Sequence, residues 1–173
     1  MDIKRFWHSI RLYTMFNAKK RGDYARKHKL FHHIGENVRL PSMLLPLHSE
    51  LISIHNNVEI ASGVRLVTHD AIHGVLNVKY NTNEFKENIG CIEIMDHCFV
   101  GSNTVVLGNV RIGPNAIIGA CSFVNHDVPE GTVYAGVPAK EVSSFDKLVE
   151  NRVRVYRFNE SDEYWENFYS EHK

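Results

Sequence analysis

The sequence predicts an all-β solenoid, a triangular prism of short parallel strands carrying helical extensions at either side. Residues 94–129 divide into blocks of six, IMDHCF VGSNTV VLGNVR IGPNAI IGACSF VNHDVP, and every block opens on a branched aliphatic: Ile94, Val100, Val106, Ile112, Ile118 and Val124. If roughly a quarter of residues are Ile, Leu or Val, such a register arises by chance about once in several thousand trials. The fifth place always holds limited bulk (Cys98, Thr104, Val110, Ala116, Ser122, Val128). The fourth holds His97, Asn103, Asn109, Asn115, Cys121 and Asp127. Asn, Asp and His are the side chains that best tolerate a left-handed backbone.

A period of six matches neither the 3.6 of a helix nor the 2 of a long strand. It fits a short strand plus a corner, three of which close one coil. Stacked coils then pair as parallel strands about 4.8 Å apart. Ile94 is expected to lie on Ile112 and Val106 on Val124, filling the prism, while the fifth residue sits where the corner narrows.

Composition narrows the classes. The 173 residues balance 20 Lys and Arg against 20 Asp and Glu, which argues against a nucleic-acid binder and against wholesale disorder. Cys91, Cys98 and Cys121 lack framework spacing, so reduced thiols in a cytoplasmic setting are expected. No secretory or membrane-spanning apolar run is present.

In chain order, residues 1–33 form a helical extension with Phe6, Ile10, Tyr13 and Phe16 at helical spacing, and Gly22 is the expected break between two helices. Residues 1–29 carry nine Lys or Arg against two acids. That segment either caps the open end of the prism or contacts an anionic partner such as a membrane surface. The β-helix spans 34–140. It starts at IGENVRL (34–40), loses register in PSMLLPLHS (41–49) and resumes at Ile54. Residues 71–89 hold no blocks and are expected to form a loop excursion, the usual carrier of function in a compact solenoid. Residues 141–173 read as a helical tail, acidic and aromatic at its end.

The blocks, together with GVPAK at 136–140, resemble the hexapeptide-repeat acyltransferases, in the maltose, galactoside and xenobiotic acetyltransferase branch, and within it the bacterial surface-polysaccharide O-acetyltransferases. The resemblance implies a left-handed parallel β-helix, a homotrimer with active sites between subunits, acetyl-CoA as co-substrate, and no metal. It also implies a sugar or polysaccharide-precursor acceptor. His69, which with Asp70 interrupts the block LVTHDA directly before the excursion, matches the family's general base. Histidine titrates near 6.5 and suits proton removal from a hydroxyl at neutral pH. Asp70, Glu84, Glu87 or a backbone carbonyl could orient the ring, and His73 is a second candidate beside the acceptor, with Phe99 as an aromatic wall. The CoA matches are Ser102, Gly119, Ala120, Ala135, Gly136, Pro138 and Lys140, small residues that admit pantetheine to the backbone and one phosphate donor. Asn125-His126 stands where relatives often carry Thr-Lys. Other readings are N-acetylation of a nucleotide-linked amino sugar, a zinc hydratase drawing on His69, His73 and His97, and a silent scaffold.

Overall fold

The structure is a computed structural model that describes residues 3–153 and 161–172. Eleven short strands make three faces of a prism. The first face stacks His33–Ile34, Ile52–Ile54, Ile92–Ile94 and Val110–Ile112; the second stacks Glu59–Ile60, Phe99–Val100, Ile117–Ile118 and Thr132–Ala135; the third stacks Arg65–Val67, Val105–Leu107 and Phe123–Val124. Neighbours within each face run parallel, and Ile94 pairs with Ile112 and Val106 with Val124, as the period requires. All six block-opening aliphatics are fully buried, as are the fifth-place residues from Cys98 to Val128. Each buried Ile or Val side chain contributes roughly 1.5–3 kcal/mol over an exposed one, so the column is the main source of stability.

Corner chemistry follows the sequence with two departures. Asn37, Asn57, His97, Asn103, Asn109, Asn115 and Cys121 all hold positive φ, and Gly63 does the same at its corner. Asp127 does not; its Oδ1 instead accepts the Arg111 N–H at 2.7 Å. His69, in the fourth place of the block LVTHDA, lies in a short strand, because the coil opens at this point. The Cys98 thiol donates to the Gly113 carbonyl, and burial pushes its pKa up to about 11, so it behaves as a packing residue.

Helices decorate the prism. In the N-terminal extension α1 spans Ile3–Thr14 and α2 spans Ala18–Lys27. The break falls at Asn17, whose side chain caps α2 by accepting the Lys20 N–H, and not at Gly22. Gly22 lies inside α2, where an added Cβ would come within 2.0 Å of the Val38 carbonyl oxygen. It permits close docking. Arg21 is buried and donates through Nε to the Leu40 carbonyl, and Ala25, Leu30 and Phe31 join the core, so α2 caps the first coil. The irregular stretch 41–48 runs over the side of the prism and ends in a tight 3₁₀ turn at Ser49–Leu51.

The excursion is not a plain loop. Helix α3 (Ile72–Tyr80) rises from it, and its base is a two-stranded antiparallel ribbon pairing His69–Asp70 with Asn88–Ile89. No α3 residue is buried within the single chain, although Ile72, Val75 and Val78 are apolar. Beyond Ala135 the chain turns back as Lys140–Ser144, antiparallel to the last prism strand, and continues into α4 (Phe145–Val153). Helix α5 (Ser161–Glu171) follows; Arg157, Phe158 and the rest of 154–160 lie outside the described residues.

Candidate active site

The third prism face ends at Val67, and Thr68 is the hinge from which the chain departs. Thr68 is buried: its hydroxyl donates to the Leu47 carbonyl at 2.9 Å, and its own carbonyl accepts the Gly90 N–H at 2.7 Å where the chain returns. This bond clips the excursion at its root. It leaves His69 and Asp70 half-buried on the ribbon, lining a cavity of about 140 Å³ with Thr68, Asn88, Gly90 and Leu107.

Asp70 is anchored by its neighbours. Its Oδ1 accepts the Ile72 N–H at 2.9 Å, and its Oδ2 accepts the Asn88 side-chain amide at 3.2 Å. The Ile72 N–H first, then the Asn88 amide, hold its carboxyl below the usual carboxylate range, and the charges of His73 and His69 act in the same direction. No hydrogen bond joins Asp70 to the His69 ring among the described residues, so its carboxylate acts on that ring through space and through the loop.

The His69 Nδ1 is enclosed and has no hydrogen-bond partner among the described residues. Its ring meets His48 edge-on, with centroids 5.3 Å apart. His48 holds positive φ just before the 3₁₀ turn; its Nδ1 lies 3.2 Å from Glu50 Oε1 and its Nε2 lies 4.0 Å from Glu87 Oε1. His48, His69 and Glu87 each bring one ligand atom within 4.8 Å of the others, a two-histidine, one-carboxylate set of the kind that holds zinc. This differs from the trio His69, His73 and His97, since His97 sits at a separate prism corner. Glu87 was among the residues expected to face His69. His48 was not: it lies in the stretch without repeat register, where periodicity carries no signal. His73 occupies the first turn of α3, with its Nδ1 likewise enclosed.

The CoA candidates form a separate column. Val100, Ile118 and Tyr134 are in register, which stacks Gly101, Gly119 and Ala135, and then Ser102, Ala120 and Gly136, in successive coils at the corner between the second and third faces. Close approach there is enforced: a Cβ on Gly101 would lie 2.5 Å from the Ala120 nitrogen. The Gly119 carbonyl accepts the Thr104 and Ser122 hydroxyls, Gly136 has φ +98°, and Pro138 follows a cis peptide bond. Lys140 is exposed at the start of the returning strand, opposite Ala135. Phe99 points outward on the second face. His69 leaves from the far end of the third face, so a single chain does not bring its imidazole and this column together. A larger cavity of about 460 Å³ under residues 41–46 contains none of the expected residues.

A three-sided parallel β-helix with six-residue repeats and a clipped histidine excursion defines a hexapeptide solenoid. The model of the bacterial transferase hexapeptide family (six repeats) matches residues 92–126. Protein CapG of Staphylococcus aureus is 35% identical over 129 residues, covering 71% of this chain and 73% of CapG. Galactoside O-acetyltransferase of Escherichia coli K12 is 34% identical over 119 residues, covering 66% of this chain but only 56% of that relative. The crystal structure of a Vibrio cholerae hexapeptide-repeat acetyltransferase complexed with acetyl coenzyme A superposes with a TM-score of 0.54 at 21% identity, covering 82% of this chain and 85% of that one. The chain belongs to the hexapeptide-repeat transferases, and that kinship implies the left-handed winding for its coil.

Proposed function

We propose that this protein transfers an acetyl group from acetyl-CoA to a sugar hydroxyl, during assembly of a surface polysaccharide, with His69 as general base. The observation that carries the reading is the placement of His69. It is the imidazole held where the chain leaves the third face after Val67, beside an ionised Asp70 and lining a cavity. The kinship with galactoside O-acetyltransferase supports the acetyl donor and the sugar acceptor.

The chemistry needs little more. His69 takes the hydroxyl proton as the sugar oxygen attacks the thioester carbonyl, a C–O bond forms, and the tetrahedral intermediate collapses with loss of the C–S bond. The CoA sulfur leaves as thiolate and recovers the proton from the imidazolium. Asp70 favours that transient cation by its charge and holds the loop that carries it. Ser102, Gly119, Ala120, Ala135, Gly136 and Pro138 line the pantetheine path, and Lys140 meets phosphate. Because column and histidine lie on different edges of one prism, the site is completed between subunits. A homotrimer provides this and also covers the apolar residues Ile72, Val75 and Val78 of α3. His73 and Phe99 border the acceptor.

The test is His69→Ala. Acetyl transfer is expected to fall by about two to four orders of magnitude with the trimer mass unchanged. Near-normal turnover would refute the assignment, and faster acetylation of an amino sugar than of its hydroxyl analogue would move the reaction to nitrogen.

A further inference from the structure

Helix α1 is mounted with its faces reversed. Leu12, fully buried, and Ser9 point into the protein, where the Ser9 hydroxyl accepts the Leu45 N–H and Arg5 Nη2 donates to the Leu45 carbonyl at 2.9 Å. His8 adds a 2.8 Å bond to the Tyr24 hydroxyl on the same side. The packed side is thus mainly polar. Ile3, Phe6, Trp7 and Ile10, spaced i, i+3, i+4, i+7, form one stripe on the opposite side, and Ile3 and Trp7 keep 73% and 63% of their surface exposed. Tyr13, on the last turn of α1, and Phe16, just beyond it, are exposed as well. Lys4 and Arg11, seven residues apart, follow one edge of the stripe, and Lys19 and Lys20 open the next helix.

The charge of the whole chain is arranged around this element. Residues 1–29 hold nine Lys or Arg and two acids, whereas residues 30–173 hold eleven and eighteen. The net positive charge of a balanced protein thus falls in the segment that carries the outward aromatic stripe, although Arg5 and Arg21 turn inward. We propose that α1 docks this protein on an anionic lipid bilayer, lying in the interface with Ile3, Phe6, Trp7 and Ile10 among the acyl chains and the basic residues at headgroup level. The competing occupant is the acidic α5 of a second copy. Its aromatics, however, already meet one another, Trp165 against both Phe168 and Tyr169. A stripe of branched aliphatic and aromatic residues with cationic edges is what an interfacial helix presents. The docking is independent of the acetyl-transfer reading, so His69→Ala protein binds vesicles as the parent does.

The experiment uses the full chain carrying Trp165→Phe, which leaves Trp7 as its single tryptophan. It is mixed with vesicles of phosphatidylcholine alone or with phosphatidylglycerol added. Expected are sedimentation with the anionic vesicles only, release by salt, and a blue-shifted Trp7 emission quenched by brominated lipid. Phe6→Ser with Trp7→Ser should lower binding at least about tenfold, followed by sedimentation, and Arg11→Gln about fivefold. Absence of binding, or equal binding to both vesicles, overturns the proposal. So does a change in native mass of the Phe6→Ser, Trp7→Ser protein, which would make the stripe a contact between copies. Arg11→Gln lies on the exposed edge and keeps the lipid test valid should the double variant misfold.

Discussion

Cys121 gives the sharpest test of how the prism turns its corners. It occupies the place that Asn fills at positions 103, 109 and 115, with φ +58°, and its thiol is exposed. A non-glycine residue in that region costs roughly 1–2 kcal/mol, and Asn recovers part of this by local hydrogen bonding. The backbone bond from the Cys121 N–H to the Ser102 carbonyl, 2.8 Å, is kept by any substitution. Cys121→Asn should therefore stabilise the protein by about 0.5–1 kcal/mol. Cys121→Gly removes the strain but adds unfolded-state freedom worth about 0.4–1 kcal/mol, so the gain is smaller. Cys121→Val adds a second branch at Cβ and should destabilise by about 1–2 kcal/mol. Urea midpoints at constant m-value, read at one protein concentration, give the order Asn, Gly, Cys, Val. A Val variant as stable as the parent, or an Asn variant less stable, would refute the corner argument.

Other expectations follow from single sites. Ile112→Ala, fully buried between Ile94 and the bridge to Val128, should cost about 2–5 kcal/mol by the same urea assay. Asp70 has a lowered carboxyl pKa, so the order it gives the excursion is present at neutral pH and is lost as pH falls through that lowered value. Asp70→Asn should abolish this acid-dependent step, seen as pepsin cleavage within residues 72–87 at a rate that no longer changes with pH relative to the parent. Acetyl transfer should persist in EDTA. Added Zn²⁺ should inhibit by seizing His48, His69 and Glu87, and His48→Ala should raise the inhibitory concentration about tenfold or more, read by titration of the initial rate.

What was legible in the sequence was whatever repeats. Branched aliphatics at every sixth place can be buried in only one way by a chain with that period, so Ile94, Val106 and Ile112 declared the prism and its register. Asn at the fourth place declared the corners, since backbone sterics there are local. The break at residue 69 was visible as a loss of period, although its content was not. Helix α3 has an apolar sequence with no buried face in one chain, so neither helical nor strand periodicity marks it. His48 was hidden for a related reason: it reaches His69 from a stretch whose path is set by Leu45, Ser9 and Arg5, contacts that cross from another element. Gly22 shows the same limit from the other side. Read locally it breaks a helix, and only the approach of Val38 turns it into the point where the helix docks. The candidate site inherits this division. The solenoid supplies a rigid ladder that any reader of the period can draw, while the groups arranged around His69 come from the two segments that leave the ladder. Under the proposed function, acceptor choice would belong to residues 41–50 and 71–89, and exchanging those segments between relatives should exchange acceptors while the coils remain unchanged.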